Sequence, residues 1–189
     1  MMAVPFDIAE VAGIVAGPNA AANLFAYLHA GINRDVGCGL LTASVYDIPN
    51  LRSRRVFSED LAAYPLGNFK RLDKNRYFET VLAGRQVFSS TTIEEIAEVF
   101  FDWEKIQALG FESNMNLPAI ADNTVIGTIN LLEKKGHYTA ERVAKALAWQ
   151  PIVTLAFLLL LRDGRDAATF QPGVSLAGHS AIEGAAATA

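Results

Sequence analysis

The stretch FESNMNLPAIADNTVIGTINLL, Phe111 to Leu132, constrains the fold of this chain most, because it reads as two extended apolar runs joined by a turn at Asp122 and Asn123. Successive strand residues point to opposite faces, so each run must divide its side chains between two surfaces. Met115, Leu117, Ile129 and Leu131 form an apolar set suited to a helix-covered core. Asn114, Asn116, Thr128 and Asn130 form the opposing set, and they are polar where a strand buried on both faces would hold aliphatics.

Register decides whether the amides meet. A two-residue loop at Asp122 and Asn123 sets Asn114 opposite Leu131 and turns Asn130 to the other face. A three-residue loop ending at Asn123 pairs Asn114 with Asn130 directly. Asparagine tolerates the left-handed conformation that such a loop needs. Each amide brings two donors and an acceptor with two lone pairs, and leaving one group buried without a partner costs about 1–3 kcal/mol. The amides therefore face solvent, as Glu112 in the same alternating set suggests, or form an internal network, or face a ligand. The ligand-facing arrangement is the expectation carried forward.

Around this hairpin the elements fall in a simple order. The first thirty residues are expected to be helical in two pieces, broken at Gly17, Pro18 and Asn19. Cys38 to Asp47 reads as a strand that turns through IPNL into RSRRVFS. Lys74 to Phe88 has helical spacing with Gly84 placed to end it, and a short strand follows. Ser90 to Leu109 is expected to form one helix with an apolar stripe, since Thr91 and Thr92 each precede a glutamate by three residues. Thr139 caps a long helix through Leu161, kinked by Pro151 near Leu147. The segment IVTLAFLLLL is apolar all round, which a surface helix cannot satisfy without a partner helix. The Ala- and Gly-rich tail from Asp163 would need a surface to hold it, and a second subunit is the simplest one. The organisation expected is a helical extension over 1–19, an α+β domain over 20–161 and a tail over 162–189. In that domain a central antiparallel sheet carries the terminal helices on one face and a cavity under shorter segments on the other.

Composition narrows the function. At 189 residues the chain can bury a core without metal or disulfide, and its one cysteine, Cys38, points to a reducing compartment. No cleavable leader is seen and the most membrane-like run, Ala146 to Leu161, is short and interrupted, so a cytoplasmic location is expected. A net charge of −4 offers no general attraction to nucleic acid or anionic membrane. A content of 51% hydrophobic against 19% charged residues suggests surface hidden by self-association, and a homodimer through the terminal helices is expected.

The segments ASVYD, VLAGRQVF, NLPAI, VIGTINLL and YTAERVAKALA, in that order between Ala43 and Ala148, resemble the core of a GAF domain. That resemblance implies a small-molecule sensor module, dimeric through its terminal helices. An enzymatic branch of the fold, the free methionine-(R)-sulfoxide reductases, holds the substrate ammonium with carboxylates on these strands. Aligned through Pro118 and Gly127, its glutamate falls on Asn114 and its aspartates on Asn130 and Leu132, while its cysteines fall near Tyr77 and at Gln107. Two amides and an aliphatic residue replace the carboxylates and no thiolate stands at either position, so reductase chemistry is not expected.

His29, His137 and His179 lack metal-ligand spacing, Ser44, Ser89 and Ser113 lack a nucleophile context, and Glu94, Glu95 and Glu98 read as a solvated helix face. The cations of KRLDKNR and Arg52, Arg54 and Arg55 read as ordinary surface. No catalytic residue, metal or cofactor is assigned. Tyr46, Tyr77 and Trp103 are the aromatic candidates for the pocket wall. The expected function is non-covalent binding of a small polar molecule, with Ser90 to Leu109 acting as a lid and a partner protein receiving the signal. The alternatives are a dimeric scaffold whose cavity is filled by side chains, or an enzyme of unidentified chemistry.

Overall fold

The computed structural model of the chain describes residues 4–162, 164, 168–176, 182 and 183. Two N-terminal helices, α1 (Ile8–Ala16) and α2 (Ala20–Asp35), are separated where the sequence breaks them; Asp7 caps α1 by accepting from the amides of Ala9 and Glu10. A hairpin of β1 (Leu40–Asp47) and β2 (Arg52–Ser58) follows, then β3 (Phe69–Arg71) and β4 (Phe88–Ser90). The amide-bearing hairpin is β5 (Ser113–Ala121) and β6 (Thr124–Glu133), and α5 (Ala140–Ala148) and α6 (Gln150–Arg162) close the domain. Six strands pair antiparallel in the order β4, β5, β6, β1, β2, β3, and β7 (Ile182–Glu183) adds to β3 in parallel. This is the expected α+β sheet with helices α2, α5 and α6 on one face.

The β5–β6 register differs from expectation in an instructive way. Asp122 and Asn123 form a two-residue turn, both with positive φ (45° and 56°), which by itself would separate the asparagines onto two faces. A bulge resolves this: Ile120 pairs with Val125 but Ala119 pairs with Gly127, so Ile126 is the extra residue. Beyond the bulge Asn116 pairs with Asn130 and Asn114 with Leu132. The three-residue loop and the direct Asn114–Asn130 pair are therefore replaced, while the shared face survives.

On the helix side, Met115, Leu117, Ile129 and Leu131 are fully buried with Leu24, Leu28 and Ile32 of α2 and Val153, Ala156 and Phe157 of α6. Two glycines permit this closeness. A Cβ at Gly127 would lie 2.2 Å from the Phe157 ring, and one at Gly31 would lie 2.1 Å from the Trp149 ring. The bend expected near Leu147 falls at Trp149, where α5 and α6 meet at 49°; Pro151 sits in the first turn of α6, where its missing N–H costs no bond. Trp149 is buried in the elbow and its Nε1 donates to Asp35 at 2.9 Å. No single helix among the described residues is long and apolar enough to cross a membrane.

The all-apolar α6 and the tail are covered largely by their own chain. Phe170 stacks on Phe25 with ring centroids 4.0 Å apart, its amide donates to the Val56 carbonyl, and Leu176 is fully buried. The expectation that a second subunit must hold the tail is thus corrected for residues 168–176: two large apolar side chains within a small-residue composition anchor it. Ile182 and Glu183 are held on β3, and apart from Gly164 the other tail residues lie outside those described.

Two helices are also shorter than the spacing predicts. Lys74 to Phe88 forms only a π-helical turn, Phe78–Ala83, closed by the Gly84 amide donating to Glu79 at 2.8 Å. Ser90 to Leu109 splits into α3 (Ile93–Ala97) and α4 (Trp103–Ala108). At the break Val99 and Phe100 turn in against Tyr77 and Phe88, and Asn75 Nδ2 donates to the Val99 carbonyl at 2.8 Å. Tertiary packing here outweighs helix continuity.

Gly127→Ala should force Phe157 or β6 to shift, lowering stability by about 1–3 kcal/mol in urea unfolding. Unchanged stability would mean that α6 does not seat on β6 as described.

Candidate ligand site

The face of the sheet opposite α2 and α6 carries a cavity of about 130 Å³. Its floor is built by alternation: Thr42, Ser44 and Tyr46 on β1, Ser53 on β2, Asn114 and Asn116 on β5, and Asn130 on β6. Ser44 stands beside Arg55 and Tyr46 beside Ser53 across β1 and β2. Val99, Phe100, Phe101 and Ile106, from α4 and the break before it, form the roof. The roof is tied to the rim by Lys70 and Asp102 at 3.2 Å and by Lys105, which donates to the Ala63 carbonyl. Arg71 and Asp73, also on the rim, pair at 3.0 Å.

The amides form one connected network. The Ser90 hydroxyl donates to Asn114 Oδ1, Asn114 Nδ2 to Asn116 Oδ1 at 2.9 Å, and Asn116 Nδ2 to Asn130 Oδ1 at 2.8 Å. Thr128 donates to the same Asn130 oxygen at 2.8 Å. Its single proton is then used, so the Tyr46–Thr128 contact of 2.8 Å has Tyr46 as donor, and the Tyr77–Tyr46 contact of 2.7 Å has Tyr77 as donor. Asn130 Nδ2 donates in turn to Thr42 and Ser44 at the long distances of 3.3 and 3.5 Å. Asn114 and Asn116 are 3% and 5% exposed, so burial makes these partners necessary.

The expected site residues separate as follows. Asn114, Asn116, Asn130, Tyr46 and Tyr77 line the cavity together. Thr128 is fully buried behind it, joining Asn130 to Tyr46. Trp103 is not among the lining residues; it packs part-buried on Ile93, Ile96 and Ile106, and Phe100 and Phe101 occupy the roof instead. Thr42, Ser44, Ser53 and Ser90 were missed, although the alternation in LLTASVYD carries the signal for the first two. Arg55, Lys70 and Arg71, which read as plain surface, are rim residues because β2 and β3 lie beside β1.

Elsewhere the candidate groups are structural. Cys38 contacts the Leu132 carbonyl and its thiol is pushed up to about 12 by burial, with Glu59 adding repulsion, so it holds no thiolate near neutral pH. His29 contacts Glu59 at 2.8 Å and His137 contacts the Val36 carbonyl; His179 lies outside the described residues. Among the described residues no three His, Cys, Asp or Glu side chains group as a metal site.

A six-stranded antiparallel sheet with helices packed on one face and a lidded cavity on the other is the fold of a GAF domain. Solved structures with this fold include the GAF domain of a two-component sensor histidine kinase from Bacillus halodurans, at TM-score 0.62 and 11% identity over 76% of this chain and 97% of that one. The GAF domain of an Acinetobacter phosphoenolpyruvate-protein phosphotransferase matches at TM-score 0.58 and 12% identity, over 82% and 92% of the two chains. A methyl-accepting chemotaxis protein matches at TM-score 0.57 and 14% identity, over 80% and 95%. No protein-family model matches the sequence, and no curated protein matches it. At these identities the likeness speaks for the fold alone.

Burial pushes the phenols of Tyr46, Tyr64, Tyr77 and Tyr138 above the ordinary tyrosine range. Between that range, about pH 10, and the raised native values the unfolded chain holds fewer protons than the folded one, so stability present below it falls as pH rises. In a Tyr27→Phe background, where these four buried phenols alone report, phenolate absorbance is expected to rise only together with loss of circular dichroism in an alkaline titration. Stepwise ionisation with the fold intact would contradict the burial of this network.

Proposed function

We propose that this chain is a non-catalytic sensory or regulatory GAF module that binds a small polar molecule in the sheet cavity and signals through a partner protein. The observation that carries the reading is a sheet floor of buried amides and hydroxyls, already oriented by one another, beneath a roof held by side-chain contacts. Rigid, pre-oriented polar groups on strands are what selective small-molecule recognition needs, since little ordering remains to be done on binding. The sensor kinase and chemotaxis protein that share the fold are consistent with such a role.

Signalling follows from the roof. A bound ligand contacts Phe100 and Ile106, and its effect on the α3–α4 segment is bounded by its differential affinity for the open and closed states of that segment. A homodimer through the terminal helices is part of the same proposal, supported by the exposed apolar side chains of Ile8, Leu147 and Leu158 on α1, α5 and α6. Neither a thiolate nor an acid/base pair enters this reading.

One observation favours a second reading, a scaffold with a filled cavity. The amides satisfy each other, and about 130 Å³ is small beside the roughly 300–1,000 Å³ of drug-sized ligand pockets. A ligand of a few heavy atoms fits without opening the roof; a larger one does not.

Native mass spectrometry of freshly purified protein, compared with its denatured mass, separates the two readings. The expected result is a dimer carrying a non-covalent mass increment that Asn114→Ala reduces. Its loss strands the Ser90 hydroxyl and one Asn116 acceptor at about 1–3 kcal/mol each. A clean dimer whose mass and stability added metabolite extract leaves unchanged would favour the scaffold.

A further inference from the structure

The hydrogen bonds of the cavity floor have a direction, and that direction selects a ligand class. Two branches run inward and converge on Asn130 Oδ1: Ser90 through Asn114 and Asn116, and Tyr77 through Tyr46 and Thr128. That oxygen has two lone pairs and receives two protons, so it is full. Both protons of Asn130 Nδ2 go to Thr42 Oγ1 and Ser44 Oγ, which makes those hydroxyls acceptors in the network. Each hydroxyl keeps one proton of its own. Thr42 is buried at 8% exposure, both residues line the cavity, and neither donates to another described group. Asn114 and Asn116 each retain a second Nδ2 proton, since each nitrogen makes a single bond.

The floor thus presents hydroxyl and amide donors, while Asn130 Oδ1 is fully occupied and Asn114 Oδ1 and Asn116 Oδ1, each accepting one proton, keep one lone pair apiece. An orphaned buried donor is rarer and costlier than a carbonyl with a spare lone pair. The lining side chains include three cations, Arg55, Lys70 and Arg71, against two carboxylates, Asp73 and Asp102. Arg55 stands beside Ser44 across β1 and β2, its Nη1 fixed by the Pro65 carbonyl at 2.8 Å.

Resting on the reading that this cavity binds a small molecule, we propose that its ligand is a small carboxylic acid bound as the carboxylate, with Thr42, Ser44 and the amide protons of Asn114 and Asn116 donating to its oxygens. Charge-assisted bonds to an ionised acceptor are about twice as strong as neutral ones, so the anion is favoured over an amide of the same shape. A cavity of about 130 Å³ is close to one of about 150 Å³ that accommodates benzene. The acid therefore has about four to seven non-hydrogen atoms. The roof side chains Val99, Phe100 and Ile106 suit an aliphatic remainder. An ammonium ligand is disfavoured, since it would meet donors with a donor.

The test uses propionate, propionamide and propylammonium against the full chain at neutral pH, read by calorimetric titration and by melting temperature. Propionate is expected to bind about tenfold or more tightly than propionamide and to raise the melting temperature, and propylammonium to do neither. Asn130→Asp is the informative variant. A carboxylate there accepts from Thr42 and Ser44 as well as from Asn116 and Thr128, so it turns the hydroxyl protons inward and places a negative charge beneath the ligand. Propionate binding should vanish in this variant, and Arg55→Gln should weaken it in an independent background. Equal or tighter binding of propionamide or propylammonium to the native chain would mean that the amides run the other way. That result overturns the carboxylate inference and spares the binding-module reading. Binding by none of the three probes would likewise overturn the carboxylate inference, while the binding-module reading stands or falls on the mass increment in native mass spectrometry.

Discussion

Asn130 is the side chain on which the cavity face of this protein depends. Its oxygen accepts from Asn116 and Thr128 and its nitrogen donates to Thr42 and Ser44, so four neighbours on three strands are oriented by one amide. Asn130 is half-buried and its partners Asn116, Thr128 and Thr42 are buried, so each of those bonds replaces hydration that the groups have largely lost, and none can be removed without stranding a partner. Such a residue acts as a hub: it fixes the hydroxyl rotors of β1 and, through Asn116 and Asn114, reaches as far as Ser90 on β4.

The hub exists only because of backbone geometry set some distance away. The two left-handed residues Asp122 and Asn123 make a tight turn, and the extra residue at Ile126 shifts parity so that Asn114, Asn116 and Asn130 share a face. The same shift holds Met115, Leu117, Ile129 and Leu131 against α2 and α6. One bulge therefore sorts polar from apolar residues on both sides of the sheet, and the close seat of Phe157 on Gly127, next to the bulge, keeps β6 from slipping. Core and cavity are consequences of a single register.

Much of this is legible in the residues. The alternation of Phe111 to Leu132 predicts which side chains face the helices, the break at Gly17 to Asn19 separates two helices, and Thr139 caps α5. The loop length is not legible, because a tight turn plus a bulge gives the same parity as a longer loop and periodicity reports parity alone. The single helix expected over Ser90 to Leu109 fails because Val99 and Phe100 pack against Tyr77 and Phe88, a contact between segments distant in sequence that local spacing does not contain. Trp103 was expected in the pocket wall for its size, yet the helix break places Phe100 and Phe101 there. Arg55 and Lys70 became rim residues through strand order, which no short motif encodes. Phe170 and Leu176 docked a tail whose average composition concealed them.

The central claim is that the buried amides form one ordered network with its donors directed into the cavity. Selective ¹⁵N labelling of asparagine side chains, followed by proton–nitrogen correlation spectra, examines it most directly. The account predicts three resolved amide pairs for Asn114, Asn116 and Asn130, assigned by single substitution, with Asn130 protected on both protons from exchange with water. All three pairs should shift together when the cavity is altered by Ser44→Ala. Averaged, rapidly exchanging resonances from these residues would contradict the network and, with it, the site.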